Sequence, residues 1–182
     1  MATDISMSSN ALLLIGHGTI NSFTESGAGA KAASNLYDVV YEDAITSYPW
    51  RFAMGKVTLS KLSSSPLNEW TNAFQLPGDL LLTYRTYPRS PFEIYENKLY
   101  SDQETIEIDY WFKPEETTLP PYFVKYMQYA LASEFAISVT DNRTLAETFD
   151  AAANTQKLVA MNRDSQGRTN NAIESAPFIE VR

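Results

Sequence analysis

The chain has no cysteine and one histidine, His17. Without cysteine there is neither a disulfide framework nor a thiolate zinc site or nucleophile, and a lone imidazole thins the remaining metal options. Basic residues are also scarce, 14 against 22 acidic ones, which leaves a net charge of −8. That balance argues against a groove that tracks nucleic-acid phosphates, because such affinity comes largely from Lys and Arg. It suits a surface past which DNA slides. The longest aliphatic run, "ALLLI" at 11–15, is far below the roughly 20 apolar residues that span a bilayer, and "MATDISMSSN" has no basic n-region. The expectation is a protein of the reducing cytoplasm, without an export or membrane segment.

What is present is a globular composition of 44% hydrophobic and 20% charged residues, enriched in aromatics at 13%, with 11 tyrosines. A length of 182 residues fits one core, or one domain with an insertion. Residues 9–15 read as the apolar end of a helix that begins near Ser8, Ser9 or Asn10. Gly16 stands where a left-handed residue closes such a helix, and Ile20 and Phe23 are spaced to fold back on it. From Gly29 to Tyr48, Ala32, Ala33, Leu36, Val39, Val40, Asp43, Ala44 and Ser47 follow helical spacing. Pro49 stops that helix and Trp50 and Phe52 anchor its exit.

The period then changes. "AMGKVTLSKL", "LPGDLLLTYRTY", "PFEIYENKLYS" and "TIEIDYWF" alternate around turn residues, which predicts a small antiparallel sheet of four or five strands within 53–113. The Ser-Ser-Ser-Pro stretch at 63–66 and the Pro-Arg-Ser-Pro stretch at 88–91 read as loops. Helices return at "TLPPYFVKYMQYALASEFAISV", where Pro120 and Pro121 fit only a first turn. Phe123, Met127, Ala130, Leu131, Phe135 and Ser138 form its inner face, broadened by Tyr126, Tyr129 and Ile137. Thr144 and Glu147 form a capping-box pattern that starts a fourth helix through about Met161. The remainder, polar and then apolar at "PFIEV", reads as an extended docking tail. The resulting class is α+β: a four-helix bundle with an inserted antiparallel sheet, divided as 1–52, 53–113, 114–163 and the tail 164–182.

Catalytic patterns are thin. "GHG" and "GAGAKAA" match neither the Walker nor the dinucleotide pattern, and neither follows a predicted strand. A Ser-His-Asp site would have to use His17, with no Gly-x-Ser-x-Gly elbow to place a serine. Asp102, Glu104, Glu107 and Asp109 offer paired acids for glycoside hydrolysis or calcium. Alternation explains them more simply as the solvated face of a strand whose Ile106, Ile108 and Tyr110 point inward. Tyr84, Tyr87, Tyr95, Tyr100 and Trp111 form a possible sugar-stacking set, so a carbohydrate-binding or hydrolytic tail module is the alternative function. No catalytic, cofactor or metal residue is assigned.

Read in order, three stretches resemble the head-to-tail adaptors of tailed bacteriophages, of the tail tubular protein A or gatekeeper type. These are "NALLLIG" ending at Gly16; "YPWRFA" with Trp50 and Phe52, followed by Trp70 and by "FQLPGDLL" with Pro77 and Asp79; and "TLPPYFVKYMQYALASEFAISVT" with Pro120, Pro121 and Phe123. The family's loop after Ile-Gly often carries proline, where this chain has Gly18-Thr19. The resemblance implies a structural virion protein, assembled in the host cytoplasm, that forms a ring, typically a dodecamer. The ring joins the portal protein to a tail nozzle of the tail tubular protein B type. DNA passes through its lumen without sequence-specific binding, and no membrane, cofactor or catalysis is implied. Interface candidates are then Tyr87 and Arg89 beside the 88–91 loop, with Gln166, Arg168 and Ile173 in the tail. Pro177, Phe178, Ile179, Val181 and Arg182 complete the set at its apolar end.

Overall fold

The computed structural model describes residues 2–64, 66 and 69–167. Among the described residues, four α-helices and seven strands follow one another as α1 (Asp4–Leu14), α2 (Ala28–Thr46), β1 (Met54–Thr58), β2 (Ser60–Lys61), β3 (Asn72–Gln75), β4 (Leu80–Tyr87), β5 (Glu93–Tyr95), β6 (Lys98–Ser101), β7 (Glu107–Phe112), α3 (Pro121–Thr140) and α4 (Arg143–Ser165). The α+β class holds, and the strands sit between the helix pairs in sequence. They form two antiparallel sheets instead of one, ordered β1-β7-β4 and β2-β3-β6-β5. The chain crosses from the first sheet to the second at Leu59, whose N–H bonds Ile106 O at 2.8 Å. Leu59, Phe74, Leu76, Leu99, Ile106, Ile108 and Tyr110 form the apolar layer of the strands. Splitting into two sheets lets short strands cover one another.

Helix α1 begins earlier than its apolar run suggests. Thr3 caps it, its hydroxyl accepting from Ser6 N–H while the Ser6 hydroxyl accepts from Thr3 N–H. Its end matches the glycine reading: Gly16 has φ +77°, Gly16 N–H bonds Leu13 O at 3.0 Å, and His17 N–H bonds Leu12 O at 2.9 Å. These paired bonds define a Schellman closure, in which glycine carries the left-handed residue without a Cβ clash. Ile20 folds back into the core, and Phe23 lies 6.1 Å from the Tyr37 ring.

Helix α2 buries Ala32, Ala33 and Ala44 as its spacing predicts, together with Tyr37, Tyr41 and Ile45. Val39, Asp43 and Ser47 are displaced from the expected face, and Val39 is 66% exposed. The stripe is rotated because Tyr41 packs on Phe123, ring centroids 6.3 Å apart, and donates its hydroxyl to Pro114 O at 2.8 Å. A tyrosine whose hydroxyl is satisfied buries more area than valine.

Helix α3 packs against each of the other three helices. Pro121 occupies its first turn and Pro120 its N-cap position. Phe123, Tyr126, Met127, Leu131, Ala132, Phe135 and Ala136 are buried, whereas Ile137 and Ser138 are exposed. The last turn therefore leaves the predicted face. Asp141, in the left-handed region at φ +49°, ends the helix. The next cap is Asn142 rather than the Thr144–Glu147 box, since Asn142 Oδ1 accepts from Leu145 N–H at 3.0 Å. Thr144 lies inside the helix and Glu147 pairs with Arg143 at 3.3 Å. Helix α4 runs past Met161 to Ser165, burying Ala146, Ala153 and Ala160, seven residues apart, and Asp164. Small residues at that spacing form a seam along which two helices approach closely.

Close approach constrains Gly55 and Gly29. A Cβ on Gly55 would lie 2.8 Å from the Tyr110 ring, and one on Gly29 would lie 3.0 Å from both His17 and Leu12. The lone histidine thus leans against α2, its Nδ1 3.1 Å from Gly18 O.

If Asn142 is the cap, Asn142→Ala lowers unfolding free energy by about 1 kcal/mol, read by urea denaturation, and Thr144→Ala changes it by less than half as much. A larger loss at Thr144 contradicts this assignment.

Candidate functional site

The strand alternation places Glu107, Asp109 and Trp111 on one face of β7, with Ile108, Tyr110 and Phe112 on the other. Residues Ile108 to Trp111 are all buried because β7 is the central strand of its sheet and has layers on both sides. The solvated-face reading therefore fails at Asp109, which lies below Lys56 and Arg85. Its carboxylate oxygens are 3.4 Å from Lys56 Nζ and 3.7 Å from Arg85 Nε. Both cations come from directly opposed strand positions. Glu107 is exposed as expected. The other acids do not converge with Asp109: Asp102 accepts from Thr71 N–H and hydroxyl at 3.0 and 2.9 Å, and Glu104 pairs with Lys61 at 2.7 Å. The Lys61 hydrogen bond holds the Glu104 carboxyl below its ordinary range. Among the described residues no group of three His, Asp or Glu side chains is placed to hold a metal ion.

The proposed sugar-stacking set is also split. Trp111 is buried, donates its indole N–H to Tyr48 O at 3.1 Å, and meets Tyr84 edge-on at 5.2 Å. Tyr84 and Tyr87 instead flank Arg85, which lies 4.4 Å over the Tyr84 ring and donates to the Tyr87 hydroxyl at 3.2 Å. With Arg89, Ser90, Pro91 and Phe92, Tyr84 and Arg85 line a shallow depression of about 520 Å³. Tyr87 lies beside it, so the two loop interface candidates, Tyr87 and Arg89, are both exposed in one region.

Tyr95 and Tyr100 belong elsewhere, in an open groove of about 700 Å³ lined also by Pro66, Glu69, Trp70, Glu93 and Glu96. Its floor follows from hairpin register. Glu96 and Asn97 have φ of +48° and +59°, which gives the tight turn that right-handed strand twist favours. That turn sets Glu93 opposite Tyr100 and Tyr95 opposite Lys98. The Tyr95 and Tyr100 rings are 6.2 Å apart, and Trp70 Nε1 donates to Glu93 Oε2 at 3.0 Å. The carboxylates of this groove were not selected by sequence reasoning, although the Glu-Asn turn and the alternation of Glu93 and Tyr95 carried the signal.

The structural candidates fall at junctions. Trp50 and Phe123 are fully buried with centroids 5.2 Å apart, and Phe52 stacks edge-on against Phe123 at 4.9 Å. Pro77 begins a turn closed by Leu80 N–H to Pro77 O at 3.3 Å, and exposed Asp79 lies 3.4 Å from the Tyr110 hydroxyl. Of the tail candidates, Gln166 is described and exposed just beyond α4. Arg168, Ile173, Pro177, Phe178, Ile179, Val181 and Arg182 lie outside the described residues.

The C-terminal end of α4 is held firmly. Asp164, in the last turn of α4, accepts from Arg51 N–H at 3.1 Å and from the Tyr122 hydroxyl at 2.9 Å. One carboxylate joins the end of α4, the start of α3 and the turn after α2. Burial, reinforced by Asp164, pushes the Tyr122 hydroxyl up to about 12, and burial raises Tyr37 and Tyr41 as well.

No protein-family model matches the chain, and no curated protein matches it.

These tyrosines make the fold sensitive to alkali. They are neutral in both states below the ordinary tyrosine value near 10, so their contribution is complete there. Above it the unfolded chain loses protons first, and stability falls as pH rises towards about 12. Urea denaturation across that range should show the decline, and Asp164→Asn should bring Tyr122 ionisation, followed by ultraviolet absorbance, towards lower pH. An unchanged stability between pH 9 and pH 12 contradicts the burial of these hydroxyls.

Proposed function

We propose that this chain is the subunit of a phage head-to-tail adaptor, a structural ring protein joining portal to tail nozzle. In this reading the four helices act as one bundle, the strands form a lateral interaction module, and the segment after α4 is an extended docking tail. The ring is a dodecamer within the virion, assembled in the host cytoplasm. DNA passes through its lumen without sequence-specific contacts and the subunit performs no catalysis.

The observation that carries the assembly reading is the chemical difference between two sets of exposed apolar residues. Leu13, Leu14, Val39, Ile137, Leu158 and Val159 project from the helices. Leu82, Tyr84, Tyr87, Phe92, Ile94 and Tyr95 project from the strands and their loops. A ring closes through a heterologous interface, which needs two non-identical patches on each copy. Aromatic and arginine side chains, as in the Tyr84–Arg85–Tyr87 cluster, are of the kind enriched at protein interfaces. The net charge of −8 disfavours strong phosphate binding and so accords with a channel that does not retain DNA. Among the described residues no helix is long and apolar enough to cross a membrane.

A tail that orders on assembly offsets part of its contact energy through lost chain entropy, which keeps the free subunit monomeric until a template is present. Native mass spectrometry of the full chain, alone and with the portal ring of the same phage, tests the reading. A monomer that becomes a portal-bound ring of many copies is the expected result. Absence of association in both conditions overturns it. Truncation after Gly167 should reduce portal affinity while leaving the described fold intact.

A further inference from the structure

The groove on the outer face of the second sheet has a chemistry that the adaptor reading does not use. Glu93, Tyr95 and Tyr100 share one face of the β5–β6 hairpin, and the core residues Phe74 and Leu99 occupy the opposite face. Trp70 and Pro66, from the connection before β3, border the groove, and Glu69 and Glu96 bring the carboxylates to three. The indole fixes Glu93 through Oε2 at 3.0 Å. Among the described residues none of the three carboxylates is within ion-pair distance of a cation, Lys98 on the same face included.

Three carboxylates without an ion-pair partner among the described residues stand around three aromatic rings, a combination whose chemistry favours a cation. An aromatic face attracts a cation through its quadrupole, Trp most strongly. A guanidinium satisfies both parts of such a groove: its plane stacks on a ring while its N–H fork pairs with a carboxylate. An ammonium is a compact, strongly hydrated charge and gains less from stacking. A neutral sugar would use the rings but leave the negative charge unbalanced.

We propose that this groove receives an arginine side chain from an exposed segment of a partner protein, stacked among Trp70, Tyr95 and Tyr100 and paired with Glu93 and Glu96. The surface is open enough to admit a side chain presented on a chain, and its field draws basic segments to it. The proposal stands independently of the adaptor reading, since it rests on the groove alone.

The indole N–H resonance of Trp70 reports the site directly, because the other two tryptophans, Trp50 and Trp111, are buried. The full chain, labelled with ¹⁵N, is titrated with acetylated and amidated tetra-arginine. Tetra-lysine and maltohexaose are titrated in parallel. The expected result is a saturable shift of the Trp70 indole with tetra-arginine, weaker with tetra-lysine, absent with maltohexaose and diminished by salt. Glu93→Gln with Glu96→Gln should reduce affinity on the order of tenfold by removing two charged acceptors. Unmoved Trp50 and Trp111 resonances show that the variant remains folded. No Trp70 shift at millimolar tetra-arginine, equal affinity for tetra-lysine, or equal affinity in the double variant overturns the proposal. A Trp70 response confined to maltohexaose also overturns it and assigns the groove to carbohydrate.

Discussion

The packing of Trp50 against Phe123 is the contact on which the rest of the structure depends. Trp50 leaves α2 fully buried, donates its indole N–H to Ala44 O at 2.9 Å, and meets Tyr48, Phe52, Phe123 and Tyr126. Phe123 adds Tyr41 and Phe52 from its own side. Edge-to-face pairs contribute beyond their area burial, and truncation of such a side chain typically costs about 3–5 kcal/mol. The cluster fixes the exit of α2 against the start of α3. From there Trp111, bonded to Tyr48 O, carries the attachment into the first sheet, and Lys113 adds ion pairs to Asp38 and Glu42 at 2.7 and 3.4 Å. Helices and strands are thus joined at an aromatic junction rather than by a linker.

Much of this frame is legible in the sequence, for local reasons. Gly16 admits a left-handed residue and Pro49, Pro120 and Pro121 restrict the backbone where they stand, so the helix ends lie within two residues of the positions they mark. The apolar stripe of α3 is strong enough to name Phe123, Met127, Leu131 and Phe135 without coordinates. Tertiary competition decided the rest. Val39 lost its place to Tyr37 and Tyr41 because their hydroxyls reach partners across the chain, and sequence spacing carries no record of those partners. Asn142 outcompeted Thr144 as the cap because Asp141 could take a left-handed conformation and place it there. A single sheet was expected because alternation reports which side chains face inward but not how many sheets they face. The same limit concealed Asp109, whose burial depends on the cations of neighbouring strands.

The candidate surfaces follow the same division. Tyr87 and Arg89, at the end of β4 and in the loop after it, are readable as residues with interaction chemistry, and the structure adds that Arg85 stacks on Tyr84 and donates to the Tyr87 hydroxyl. The acid–aromatic groove required hairpin register and a tryptophan some twenty residues away in sequence, a juxtaposition that no local pattern announces. Conversely, the Asp102–Asp109 acids look grouped in sequence, but Asp102, Glu104 and Asp109 are engaged with different partners and Glu107 is exposed. An aromatic, arginine-bearing region and a carboxylate-lined groove therefore lie within one strand module, while the helices present aliphatic side chains. Rigid attachment at Trp50 and Phe123 gives those surfaces defined positions, which any interface of standard specificity requires.

Native-state hydrogen exchange in low concentrations of urea tests that attachment most directly. The account predicts that the slowest amides of β7, at Tyr110 and Trp111, and those of α3, at Met127 and Leu131, open together at the global unfolding free energy. Phe123→Leu should lower both sets by the same amount. Strand amides that open well below those of α3, and that do not respond to Phe123→Leu, would show that the sheets are held independently of the aromatic junction and contradict the account.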